Sequence, residues 1–217
     1  YANKDRTEAK VEVFLLRELE NDLWEALAAA LSTDVPIIAL HLTRPPVEIP
    51  DRKKLGMSSH LDASKGAYVI KDFDEKGEKK GVVIVRGTSS TNSIVNLLDI
   101  LRKENLNVKI VAAISWELFK RQSEEYRKTI ISDIEWLDSM IVTNGALRLM
   151  HKWIGGKIVE DYSMSPDFDN RWRTGGSVDE IVAESKIDSL SVLDGIKKFV
   201  NERDKRMAAI SSSLPKA

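Results

Sequence analysis

The stretch Val82-Val83-Ile84-Val85-Arg86-Gly87-Thr88-Ser89-Ser90 decides the fold class. Four consecutive β-favouring apolar residues without polar alternation describe a strand covered on both faces, as in a parallel sheet. A glycine and three hydroxyl residues directly after it describe a tight strand-to-helix turn. The helix entered by that turn shows in Ile94, Leu97, Leu98 and Leu101, whose spacings of three and four put them on one face.

Working outward, the same alternation of strand and helix repeats. Tyr68-Val69-Ile70 reads as a strand ahead of the polar turn Asp74 to Gly81. Val108 to Ile114 is a further strand and Leu118 to Ile131 a helix. Met140 to Thr143 is a strand, Ala146 to Ile154 a helix and Lys157-Ile158-Val159 a strand. Two helices follow, carried by Val178, Ile181 and Val182 and then by Val192, Ile196, Phe199 and Val200. This order predicts an α/β domain with a mainly parallel sheet and right-handed crossovers.

Upstream, Leu16, Leu19, Leu23, Leu27 and Leu31 form an amphipathic stripe rich in helix-favouring alanine. Ser32-Thr33-Asp34 ends it, and Ile37 to Leu42 reads as a buried strand. Residues 45–65 hold three prolines and many polar groups and read as an interdomain linker.

Composition removes several classes. Of 217 residues, 33 are Lys or Arg and 34 Asp or Glu, a formal net charge of −1. Such balance argues against a bulk electrostatic nucleic-acid binder. With 42% hydrophobic residues the chain can build a core and is not a disordered tail. The absence of cysteine excludes disulfides, a thiolate nucleophile and Cys-ligated metal, and it suits a cytoplasmic protein. No apolar run reaches the ~20 residues of a membrane span, so no membrane partner is expected. The chain opens on Tyr1 without a Met, which reads as a processed product, a remnant or a fragment.

Candidate chemistry is sparse. The backbone N–H groups and hydroxyls of Gly87, Thr88, Ser89 and Ser90 could hold an anion at a positive helix end, or Ser89, Ser90 or Thr91 could cap that helix. The turn lacks the Lys-Ser/Thr of a P-loop and is not the G-x-G-x-x-G of a dinucleotide fingerprint. His41, His60 and His151 are far apart with no i,i+4 pair, so no metal site is expected. There is no G-x-S-x-G nucleophile elbow. Trp116, Trp136, Trp153 and Trp172 have no regular spacing and suit core or interface. Arg44 stands directly after the Ile37–Leu42 run. Ligands of open α/β sheets gather at the carboxyl ends of strands, and a guanidinium there suits a phosphate, or is a surface arginine stiffened by Pro45 and Pro46.

Several of these stretches together resemble the C-terminal part of transketolase, a thiamine-diphosphate enzyme. Leu23 to Leu31 with Pro36 to Arg44 is similar to the last helix and strand of the family's pyrimidine-binding domain. Ala63 to Ile70 is similar to the entry of its third domain, Val82 to Ser90 to the first core strand and turn, and Ser123 to Arg127 to an acidic-Tyr-Arg step. The resemblance implies a three-layer α/β/α domain at 66–204, preceded by a pyrimidine-domain remnant at 1–44 and the linker at 45–65, and followed by a tail at 205–217.

It further implies a parent that moves a two-carbon ketol unit between sugar phosphates, with thiamine diphosphate and magnesium held by domains outside this chain and none expected in the fragment. The parent would be a homodimer of the pentose phosphate pathway, and the fragment, inactive alone, would stabilise the dimer and wall one side of the cleft. Arg44 matches the family's substrate-phosphate arginine. There is no Gly-Asp-Gly, the family's diphosphate motif. Tyr162 to Gly176, with its Arg171-Trp172-Arg173 insertion, departs from the family pattern. A 2-oxoacid dehydrogenase E1 β-type subunit, a deoxyxylulose-phosphate synthase and a free-standing anion-binding regulatory module are the alternatives.

Overall fold

The computed structural model describes residues 20–35, 37–40, 49–173 and 175–213. At its centre are four strands: β1 (Ala67–Lys71), β2 (Val82–Arg86), β3 (Lys109–Ala113) and β4 (Ser139–Thr143). Their order is β1-β3-β2-β4. β2 pairs in parallel with β3, opposing Val82 to Lys109 and Val85 to Ala112, and with β4, opposing Val82 to Ser139 and Arg86 to Thr143. β1 closes one edge antiparallel to β3. The sheet is therefore mainly parallel, as the apolar runs predict.

Every residue of β2, β3 and β4 is buried. Alternate side chains then serve two cores. Val83, Val85, Ile110, Ala112, Met140 and Val142 face one, while Val82, Ile84, Val111, Ala113 and Ile141 face the other. The first core is covered by α1 (Glu20–Leu31), α3 (Thr88–Val95), α4 (Leu98–Lys103) and α10 (Ser189–Asn201). Between α1 and β1 lie the short α2 (Arg52–Leu55) and a 3-10 helix, His60–Lys65. The second core is covered by α5 (Trp116–Lys120), α6 (Glu124–Ile130), α7 (Asp133–Leu137) and α8 (Lys157–Tyr162). There Trp116, Phe119, Trp136 and Trp153 pack ring against ring, with centroids 5.2–6.1 Å apart. Three of the four tryptophans singled out in the sequence thus belong to this core, while Trp172 is 92% exposed.

The chain closes with α9 (Val178–Glu184) and α11 (Arg203–Ser213). α11 reaches past residue 204. Arg206 is buried, and its guanidinium donates to Asp138 Oδ1 at 2.8 Å and to Phe199 O. A buried ion pair of this kind holds its elements firmly because losing one partner strands the other charge.

Four sequence expectations change. Lys157-Ile158-Val159 is the first turn of α8, not a strand. Gly156 starts the helix, Val159 buries into the second core, and Met164 instead forms the parallel bridge to Val142. The helix expected over Leu118–Ile131 breaks into α5 and α6, because Ser123 caps a new start by accepting from Tyr126 N. The Ala146–Ile154 helix is a 3-10 helix, Leu147–Trp153. Of the strand expected at Ile37–Leu42, residues 37–40 pair with no strand, and Ile37 and Leu40 are 48% and 40% exposed. Residues 41, 42 and Arg44 lie outside the described residues.

Candidate functional site

The Gly87 turn sits at the carboxyl end of β2, where the connections to β3 and β4 lead to opposite sides of it, the place where open α/β sheets form their crevices. Gly87 occupies the N-cap position of α3 with φ 95° and ψ 147°, a conformation that favours glycine. Gly87 has no side chain, so α3 starts without a side-chain cap from its N-cap residue, and Thr91 N donates the first helical bond to Gly87 O at 2.9 Å. Asn144, from the end of β4, roofs the turn. A Cβ built on Gly87 would come within 1.9 Å of Asn144 Oδ1. Thr88 and Ser90 are buried, and only Ser89 is half-exposed. Ser90 Oγ has no hydrogen-bond partner among the described residues.

Three further segments meet beside the first core. Asp22 of α1, 1% exposed, accepts from Arg52 Nη2 at 2.6 Å and from Tyr68 Oη at 2.8 Å. Burial pushes its carboxyl up to about 6 against the opposing pull of Arg52, the Tyr68 hydroxyl and His60. This triad fastens α1 to the linker segment and to β1. It gives His60 a charged neighbour without drawing it into a catalytic arrangement.

His151 lies on the 3-10 helix after β4 and faces a cavity that no sequence motif announced. The cavity has a volume of about 560 Å³. Its walls are that helix and the segment 165–168, and both leave the sheet at the carboxyl end of β4. Arg148 and Asp167 bring opposite charges to it. His41 and Arg44 lie outside the described residues. Among the described residues no three His, Asp or Glu side chains gather as a metal would need, and no helix is long and apolar enough to cross a membrane.

Comparison with known proteins bears on the same region. Residues 66–162 match the sequence model of the transketolase-like TK C-terminal domain. Transketolase 7 of Craterostigma plantagineum is 41% identical over 92 residues, which are 41% of this chain and 14% of that protein. The chloroplastic transketolase of Spinacia oleracea is 35% identical over 94 residues, 43% of this chain and 12% of that protein. Among solved structures, a transketolase mutant from Pichia stipitis superposes with a TM-score of 0.66 at 20% identity, covering 88% of this chain and 25% of that one. Transketolase from Leishmania mexicana gives 0.67 at 18% identity, over 88% of this chain and 26% of that one. A Pichia stipitis transketolase in complex with sedoheptulose-7-phosphate gives 0.65 at 20% identity, with 88% and 25% coverage. The chain matches the C-terminal portion of a transketolase and spans about a quarter or less of these relatives. The three-layer α/β fold is shared with them.

Proposed function

We propose that this chain is the C-terminal piece of a transketolase-type enzyme, whose whole moves a two-carbon ketol unit between a ketose phosphate and an aldose phosphate. The observation that carries the reading is the double-sided character of α1. Leu23, Ala26, Leu27 and Ala30 pack into the first core. Beside that face Trp24, Ala28 and Leu31 form a second apolar stripe at i, i+4 and i+7, so that Leu31, expected on the stripe of Leu23 and Leu27, turns outward; Trp24 and Leu31 are 71% and 68% exposed. A helix apolar on both faces belongs between two layers. With the exposed Ile37 and Leu40 it supplies the contact surface of a preceding domain. That division corresponds to a remnant at 1–44, a linker at 45–65 and a domain at 66–204 followed by 205–217.

In the whole enzyme thiamine diphosphate would supply the carbanion chemistry. The described residues do not fit that cofactor. They gather no metal-binding triad, and Asn144 packs closely against the Gly87 turn. Cofactor and metal are therefore assigned to the domains upstream, and no step within this chain runs through them. This chain's role is to complete one wall of the substrate cleft and to support the dimer, with Arg44 gripping the sugar phosphate. The Gly87–Ser90 turn is a structural junction unless Asn144 moves. Several of the relatives are named chloroplastic, so the cytoplasmic expectation is not part of the proposal.

The purified chain is expected to show no ketol transfer from xylulose phosphate to ribose phosphate, even with thiamine diphosphate and Mg²⁺ supplied. A coupled assay detecting transfer by the chain alone would overturn the reading. In the complete enzyme Arg44→Ala should raise KM about tenfold or more for phosphorylated acceptors, the loss of charge-assisted hydrogen bonds. It should barely change KM for unphosphorylated acceptors. Equal effects on both classes would remove Arg44 from the phosphate site.

A further inference from the structure

The cavity over the carboxyl end of β4 has no part in the proposed ketol transfer. Its 560 Å³ falls within the range of small-molecule sites, about 300–1,000 Å³. One wall is the 3-10 helix that follows Thr143; the other follows Met164, which pairs with Val142. Both walls therefore rise from the strand end where open α/β sheets collect ligands.

The Asp167 carboxylate is held in place with one oxygen left open, and the exposed Arg148 stands unpaired among the described residues. Asp167 Oδ1 accepts from Leu147 N at 3.2 Å and from Ser165 Oγ at 2.5 Å, which orients the carboxylate and joins the two walls. Asp167 Oδ2 accepts no hydrogen bond among the described residues. The Arg148 guanidinium likewise has no ion-pair partner among them. His151 Nδ1 lies 3.2 Å from Arg148 O, so a proton donated there leaves Nε2 as an acceptor. Glu160 adds a second carboxylate, drawn towards Lys157 at 3.4 Å. The Phe168 ring is flanked by Arg173 and Lys186 at 5.4 and 4.8 Å and forms an apolar surface together with Leu147 and Ile154.

This lining selects a charge type. A simple anion would meet two carboxylates, and a simple cation would meet a guanidinium. A metal would need a triad that is not assembled here. A molecule carrying both charges satisfies both walls. We propose that this cavity binds a free α-amino acid with an apolar or aromatic side chain. Its carboxylate pairs with Arg148, its ammonium group with Asp167 Oδ2, and its side chain lies against Leu147, Ile154 and Phe168.

Isothermal calorimetry on the full 217-residue chain tests this with L-phenylalanine and L-leucine as probes. Saturable one-to-one binding is expected for both. N-acetyl-L-phenylalanine, which lacks the ammonium group, and phenethylamine, which lacks the carboxylate, should bind about tenfold more weakly or worse. Arg148→Gln and Asp167→Asn should each cost about tenfold in affinity. Both side chains are at the surface, and asparagine keeps the Oδ1 acceptor, so thermal melts should be unchanged. The proposal is overturned if neither amino acid binds at millimolar concentration, if the analogues bind equally well, or if neither substitution weakens binding. Ribose 5-phosphate displacing the amino acid through Arg148 would also overturn it, in favour of a phosphate site.

Discussion

Gly87 shows how one residue's backbone decides what a turn can do. At φ 95° an L side chain is strained, and a methyl group would also press on Asn144 Oδ1. Gly87→Ala should therefore destabilise the chain by about 2–4 kcal/mol in urea unfolding, the strain and the clash together. Adding Asn144→Gly should recover the steric part and leave the φ penalty of about 1–2 kcal/mol. A double variant no more stable than Gly87→Ala would show that Asn144 is not the obstacle. At this scale the turn itself was legible in the sequence, because a buried apolar run followed by Gly and hydroxyl residues is a local signal. Asn144 was not, because only the pairing of β2 with β4 brings it there. The meeting of Arg148 and Asp167 at one cavity was equally silent, since they sit on separate segments that no motif spacing links.

Elements were legible where apolar side chains run without interruption. β2, β3 and β4 are buried on both faces, and their composition states this directly. Short ambiguous runs went the other way. Lys157-Ile158-Val159 has strand-favouring residues, yet only Val159 needs burial and the place beside Val142 is taken by Met164. The attachment of α1 depends on Asp22, and it carries a pH signature. The folded carboxyl titrates near 6, above the unfolded value of 3.8, because burial penalises its charge. A raised carboxyl stabilises the fold fully below pH 3.8 and loses that contribution as pH rises through 6. Asp22→Asn removes the titration. Wild type relative to Asp22→Asn should thus lose up to about 3 kcal/mol between pH 4 and pH 7 in urea melts. A difference independent of pH would show that Asp22 keeps an ordinary carboxyl in the fold.

Among the described residues the chain builds one sheet with two cores, and α1 carries apolar side chains that neither core covers. Trp24 and Leu31 gain nothing from exposure in this chain, so Trp24→Ser/Leu31→Ser should leave its stability within about 0.5 kcal/mol. The same pair should reduce hydrophobic-dye binding by the chain. In the complete enzyme it should destabilise by about 3–6 kcal/mol, the burial value of two large apolar side chains. Unfolding curves of both forms check this, and an equal, small effect in each would mean that no preceding domain covers α1. Amino-acid order alone determined the α/β class, the mainly parallel strands and the amphipathic helix α1, because alternation and apolar spacing are local properties that any fold must satisfy; that Trp24 and Leu31 of α1 stay exposed came from the structure. Only the tertiary structure decided that Asn144 packs against the Gly87 turn, that Asp167 is clamped by Leu147 N, and that Arg206 of α11 meets Asp138. Those meetings follow from strand order and crossover direction, which bring together residues whose separation along the chain carries no record of it.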